Sequence, residues 1–382
     1  MSYRGAPDDR SILHLPGTLR VWDGMPLPPA GFGLPLSIAE VRTRAARHHR
    51  LAPSNPRLNR EIERWFYRIS PAHVLEHDRL RSSGLADFDA LSHPRGIRYA
   101  ADARTRAVAH LREHPKWTAS AWSAAALLGI TEFSDGADAC FSCPSDRRLT
   151  PDALHATRQR LGLEFKPWVL HLGSEQLAVT PPLLTLAGCL RSVLAGQHAW
   201  EVPKVSQMPA REVRAVQVID QFRRQCGFGS EHLIRGLQGL IHARTVCRLV
   251  DWSSQHADSP PETTLRLLTQ RALAGRGVEF REQVPVFEDG QVGALGTRSG
   301  RPKLLTVLDL GEPGLKIALM YDGGHHLQRG QRDRDARITA ELSMQGWWVL
   351  RVSAGMLRNG EDLTRKIRAL VAGRQTHGAA GG

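Results

Sequence analysis

Seven side chains in the C-terminal third of this 382-residue chain are of types that bind cations, move protons or hold anions: Glu262, Asp309, Asp322, His326, Asp335, Arg337 and Arg351. Asp309 interrupts the apolar run Val307-Leu308-Asp309-Leu310. A carboxylate in such a strand is costly to bury unless it binds something. Glu262 stands three residues after Ser259, a spacing that serves equally a capping box and a helix-borne acid. His325 and His326 are adjacent, an arrangement shared by surface residues and by groups that shuttle protons. Arg351 lies in the buried-type run Trp347 to Val352 and needs a counter-charge or a phosphate there. Asp322 and Asp335 are its candidate partners. Arg298, Arg301 and Lys303 precede Asp309 on a loop, where they are placed to contact phosphate oxygens.

The elements that must position these groups follow from periodicity and punctuation. Ser259-Pro-Pro-Glu262 opens a helix that runs to about Ala274 and stops at Gly275. Strands are predicted over 280–287, 304–310 and 316–321, a polar helix over 332–344, a strand over 347–352 and a last helix over 363–372. This αβββαβα order makes a domain of residues 259–374, followed by a disordered tail, 375–382. Pro313-Gly314 suits the centre of a type II turn. That turn would pair Asp309 with Ala318 and make Met320 the diagonal neighbour, roughly 7–8 Å away. Asp322 would then lie four residues along, roughly 13 Å away.

The stretches SPPETTLRLL (259–268), VLDL (307–310), YDGGHH (321–326), DAR (335–337) and GWWVLRV (346–352) occur in this order. Together they resemble the very-short-patch-repair and restriction-endonuclease-like nucleases of the PD-(D/E)XK superfamily. They resemble more closely an uncharacterised actinobacterial group, the domain of unknown function 559. The resemblance implies a restriction-endonuclease-like fold and Mg²⁺-dependent hydrolysis of DNA phosphodiester bonds. It implies a metal on Glu262 and Asp309, with Asp322 and His326 catalytic and Asp335, Arg337 and Arg351 supporting them. A hard cation takes oxygen ligands, lowers the pKa of bound water and stabilises charge on phosphate. One position departs from the family pattern. The Glu expected before YDG is Met320, and a thioether is not a useful ligand for Mg²⁺. Nor does a Lys follow two residues later, where Asp322 stands. The departure opens a second reading, a catalytically impaired DNA-binding regulator or antitoxin-like protein. A third is an interaction protein in which YDGGHH is structural.

Upstream, residues 1–95 read as a partly ordered extension with helices over 38–49 and 59–69. Residues 96–180 contain two helices, 103–113 and 119–128, with Thr118 as a cap and Gly129 as a stop. Their spacing is compatible with a helix-turn-helix or winged helix, and equally with a plain helical hairpin. WTASAWSAAALLGI (117–130) and VTPPLLTLAGCL (179–190) are similar to the helix-turn-helix and linker of AbiE-type antitoxin-like proteins. That similarity implies a toxin-like protein partner. Residues 181–258 read as a helical bridge. The fold class expected for the whole chain is α/β, of the α+β kind.

The net charge is +13, from 51 basic and 38 acidic residues. Six of the basic residues are Lys and the rest Arg, so the excess fits a polyanionic partner and a high-GC genome equally well. No apolar run approaches the roughly 20 residues of a membrane span, and the N-terminus lacks a signal-type apolar region. Five Cys, with a lone Cys140-x-x-Cys143, make neither a disulfide framework nor a four-ligand zinc site. A reduced, cytoplasmic setting is expected.

Overall fold

A computed structural model describes residues 33–80, 93–143, 152–159, 164–293, 303–322 and 329–379. The described residues form a mixed α/β structure with three small sheets. Two compact units divide the chain: residues 1–201 with 225–251, and residues 202–224 with 252–382. The segment read as a helical bridge is thus shared between them. Among the described residues no helix is long and apolar enough to cross a membrane.

The first unit begins with β1 (Leu36–Ser37), α1 (Ile38–His49), α2 (Arg57–Trp65), β2 (Phe66–Arg68) and β3 (His73–Glu76). These strands make an antiparallel sheet of order β1-β3-β2. Arg50 ends α1 in the left-handed region, at φ 52°, and the Leu51 N–H closes on the Ala46 carbonyl at 2.9 Å. The Asn55 side chain accepts from the Arg57 N–H at 2.9 Å and starts α2. Leu58 and Ile62, four apart, bury one face of α2. The helix predicted to reach Ile69 stops at Trp65, because the aromatic run Trp65-Phe66-Tyr67 suits a strand better. Phe66 then packs with Val41, Ile62 and Val74.

Next come α3 (Ala103–Glu113), β4 (Thr118–Ala119), α4 (Ala121–Leu127), β5 (Cys140–Ser142), β6 (Thr157–Gln159), β7 (Trp168–Leu172), β8 (Glu175–Val179) and α5 (Pro182–Leu194). The strands form a sheet of order β6-β5-β4-β8-β7. The Glu113 carboxylate, on α3, accepts from the Ser70 hydroxyl and from the Ala72 N–H at 2.7 Å, and lies 3.2 Å from His73 Nδ1. It thereby pins the turn between β2 and β3. Thr118, predicted as a helix cap, lies in β4, and Ser120 takes the cap position of α4. Gly129 follows α4 at φ 88°, as a stop requires. All seven residues of α4 are buried. On α3, Arg106 donates to the carbonyls of Ala101, Ala137 and Asp135 and stacks 3.8 Å from the Tyr99 ring. α4 is buried along its whole length and α3 from Ala103 to Leu111, so both helices pack mainly into the interior.

Helices α6 (Ala210–Cys226), α7 (Ser230–Gly236) and α8 (Ala243–Asp251) follow. The second unit continues with α9 (Pro260–Leu273), β9 (Arg281–Phe287), β10 (Leu304–Glu312), β11 (Ile317–Asp322), α10 (Arg329–Met344), β12 (Trp348–Ser353), α11 (Ala354–Arg358) and α12 (Gly360–Ala379). The order is the αβββαβα expected, with α11 inserted. The sheet runs β12-β11-β10-β9, an antiparallel meander with β12 parallel to β11 across α10. The tail expected to be disordered from residue 375 is helical through Ala379. Arg374 anchors it, donating to the carbonyls of Leu315 at 2.7 Å and Gly346 at 2.9 Å.

The turn between β10 and β11 differs from the predicted one. Residues 313–316 all lie in it, the Lys316 N–H bonds to the Pro313 carbonyl, and Lys316 is left-handed at φ 49°. Gly311, not Asp309, therefore pairs with Ala318, and the last pair is Leu310 with Leu319. The register slips by two residues, which sets Met320 level with Asp309.

Candidate carboxylate site

Glu262 occupies the first turn of α9, where Pro260 and Pro261 pre-set the helix. Its carboxylate accepts from the Asp258 N–H at 2.9 Å, the Ser259 hydroxyl at 2.8 Å and the Gln283 amide at 3.1 Å. Part of this is cap chemistry, with Glu262 reaching back over the helix start. Burial pushes its carboxyl up to about 7, and the charge of Asp309 adds to the rise. Asp309 on β10 is itself pushed up to about 6 by burial. The backbone N–H of Tyr321 bonds to Asp309, and Arg351 adds a favourable charge; both oppose the shift, while Asp258 adds to it. The helix acid and the strand acid thus share one electrostatic environment.

Sequence reasoning missed Gln283. It is non-glycine yet left-handed, at φ 49° in the middle of β9, and its amide holds Glu262. Strained backbone of this kind concentrates at sites that the rest of the structure over-determines. The sequence carried no such signal as Asp309 does, because Gln283 follows Arg281 and Glu282 in the polar first half of β9.

Met320 is 9 % exposed and belongs to an apolar cluster with Ala318, Ile338, Leu342 and Trp347. The register brings Asp322 to two residues past the level of Asp309, roughly 7 Å along the strand, instead of the four expected. Asp322 closes β11 opposite Ser353 and is half-buried. Among the described residues no group of three or more His, Cys, Asp and Glu is placed to hold a metal ion. Mg²⁺ is commonly held by one or two carboxylates, with water completing its shell; Glu262 and Asp309 would be the protein ligands here, and the buried thioether of Met320 would add none.

His326, Arg298 and Arg301 lie outside the described residues. Lys303 is exposed and pairs with Glu288 at 2.9 Å. Arg351 reaches α10, where it donates to the Asp335 carbonyl at 3.1 Å and lies 3.8 Å from the Asp335 carboxylate. Asp335 is therefore its partner, and this contact ties β12 to α10. Arg337 is exposed on the same helix.

Behind Glu262, α9 is fixed by a buried ionic group. Arg266, one turn further on, donates to Asp220 of α6 at 2.6 Å and to the Trp252 carbonyl at 2.7 Å, and its Nε lies 3.1 Å from Glu282. Asp220 also accepts from the Ser254 N–H and the Thr263 hydroxyl. Burial raises its carboxyl to about 6 against the pull of Arg266.

Comparison with known protein families, with curated proteins and with solved structures gives no match to this chain.

Proposed function

We propose that the protein is a DNA-binding regulator that carries an endonuclease-like α/β unit with impaired catalysis. The observation that supports DNA binding best is the outer face of α2. Arg57, Arg60 and Arg64, spaced i, i+3, i+7, are all exposed there, opposite the buried Leu58 and Ile62. The order β1-α1-α2-β2-β3 with sheet order β1-β3-β2 supports a winged-helix reading, in which α2 enters the major groove. This reading gives the DNA-binding role to residues 36–76 in place of residues 96–180. Impaired hydrolysis is supported by Met320, which fills the level of Asp309 with a buried thioether.

Mg²⁺-dependent DNA hydrolysis is the second reading. The charge of Asp309, which adds to the rise of the Glu262 carboxyl, favours it. Two measurements decide. Duplex binding titrated with salt is expected to weaken steeply, and a flat dependence sinks DNA binding by phosphate contact. Pure protein with Mg²⁺ or Mn²⁺ is expected to leave single-stranded, duplex and mismatched DNA uncut. Cutting that disappears in Asp309→Ala establishes the second reading instead.

A further inference from the structure

Two aromatic side chains stand in water beside the arginine face of α2. Trp65, the last residue of the helix, is 59 % exposed, and Tyr67, in the middle of β2, is 40 % exposed. Among the described residues they are the only aromatics in the set of exposed large hydrophobic side chains. Phe66 between them turns inward to Val41, Ile62 and Val74, so the core of the module is complete without either ring. The Arg64 guanidinium lies 5.3 Å from the centre of the Trp65 ring. Arg60 and Arg64 precede the pair on the helix and Arg68 follows it on the strand, all exposed. β2 is an edge strand of its sheet, so nothing is paired to its outer side among the described residues.

Arginines in a row attract a polyanion and fix its backbone, but carry no preference for paired over unpaired bases. Exposed rings interleaved with those arginines add one: a base out of its stack lays its π-face on an aromatic side chain. A fully stacked duplex hides those faces. From this juxtaposition we propose that Trp65 and Tyr67 form a base-stacking surface, which makes DNA with unpaired bases the preferred ligand over uniformly paired duplex. The proposal rests on the reading of α2 as the DNA-binding helix and names the kind of DNA it takes. Arg60, Arg64 and Arg68 hold the phosphates, Trp65 takes the first unstacked base, and Tyr67 extends the platform along β2.

The test measures binding of the full chain to three labelled DNAs at fixed salt: a duplex, the same duplex with a central unpaired loop, and the single strand. The intact protein is expected to prefer the looped and single-stranded DNA by about tenfold or more, the scale of one stacked base. Trp65→Ala and Tyr67→Ala are expected to lose that preference while changing duplex affinity less than about threefold. Trp65→Phe should keep part of it. Because both rings are outside the core, circular dichroism of the variants should match the parent. Equal affinity of the parent for all three DNAs overturns the stacking surface and leaves duplex binding by α2 standing. So does a preference that survives Trp65→Ala and Tyr67→Ala together. Tighter binding to single-stranded RNA overturns the choice of DNA. Failure to bind any of the three overturns the stacking surface together with the reading it rests on.

Discussion

Met320 occupies a position that does not readily take an acid. Its side chain packs with Ala318, Ile338 and Leu342, where a carboxylate would be stripped of water without a partner. Met320→Glu is therefore expected to destabilise the second unit by about 2 kcal/mol or more, read from denaturant midpoints. Wild-type stability in that variant would show that the position is open to the carboxylate pair. Glu262 and Asp309 make a pH prediction. Their folded-state values, about 7 and about 6, lie above the ordinary carboxylate range, so the folded state keeps protons that the unfolded chain releases. The stabilisation is complete in acid and is lost as pH rises through neutrality. Glu262→Gln should flatten that decline, by about 1–2 kcal/mol after allowance for solvent screening. An unchanged pH profile would remove Glu262 as its source. Both acids were legible in sequence, Glu262 by its place in a helix start and Asp309 by its apolar neighbours. Gln283 was not, because its role depends on a backbone conformation that composition does not announce.

Charged residues decide where whole elements sit. Glu113 works against burial, yet the hydrogen bonds of His73, Ser70 and Ala72 outweigh it and hold its carboxyl at about 2. A depressed value acts in the opposite sense: the stabilisation is present at neutral pH and is lost as pH falls toward 2. Glu113→Ala should cost about 1–3 kcal/mol, since it leaves the turn between β2 and β3 without its acceptor, and should remove that acid sensitivity. Asp220→Ala is expected to cost about 3–5 kcal/mol, because it leaves Arg266 charged and buried with one partner fewer. A loss under about 1 kcal/mol in thermal unfolding would show that Glu282 alone carries Arg266. Most helices and the four strands of the second unit were readable from caps, glycine stops and apolar runs. Two features were not. The burial of α3 depends on Arg106 finding backbone carbonyls that lie outside its own helix. The register of β10 on β11 depends on Lys316 entering a conformation usually left to glycine.

At the scale of the whole molecule, the +13 charge acquires a location in part. Between Leu36 and Glu76 the chain has eight Arg against four Glu, and most of those arginines are exposed. If α2 lies along DNA, Arg57→Ala, Arg60→Ala and Arg64→Ala should each lower the salt slope of duplex binding by about 0.9, additively. Unchanged slopes would move the phosphate contacts elsewhere. The left-handed backbone at Gln283 bears on the protein's fate in the laboratory. A non-glycine residue there costs roughly 1–2 kcal/mol, part of which glycine would recover. Directed evolution that rewards heat tolerance alone would accept Gln283→Gly readily, and would discard the amide that steadies Glu262 without any visible penalty in the screen.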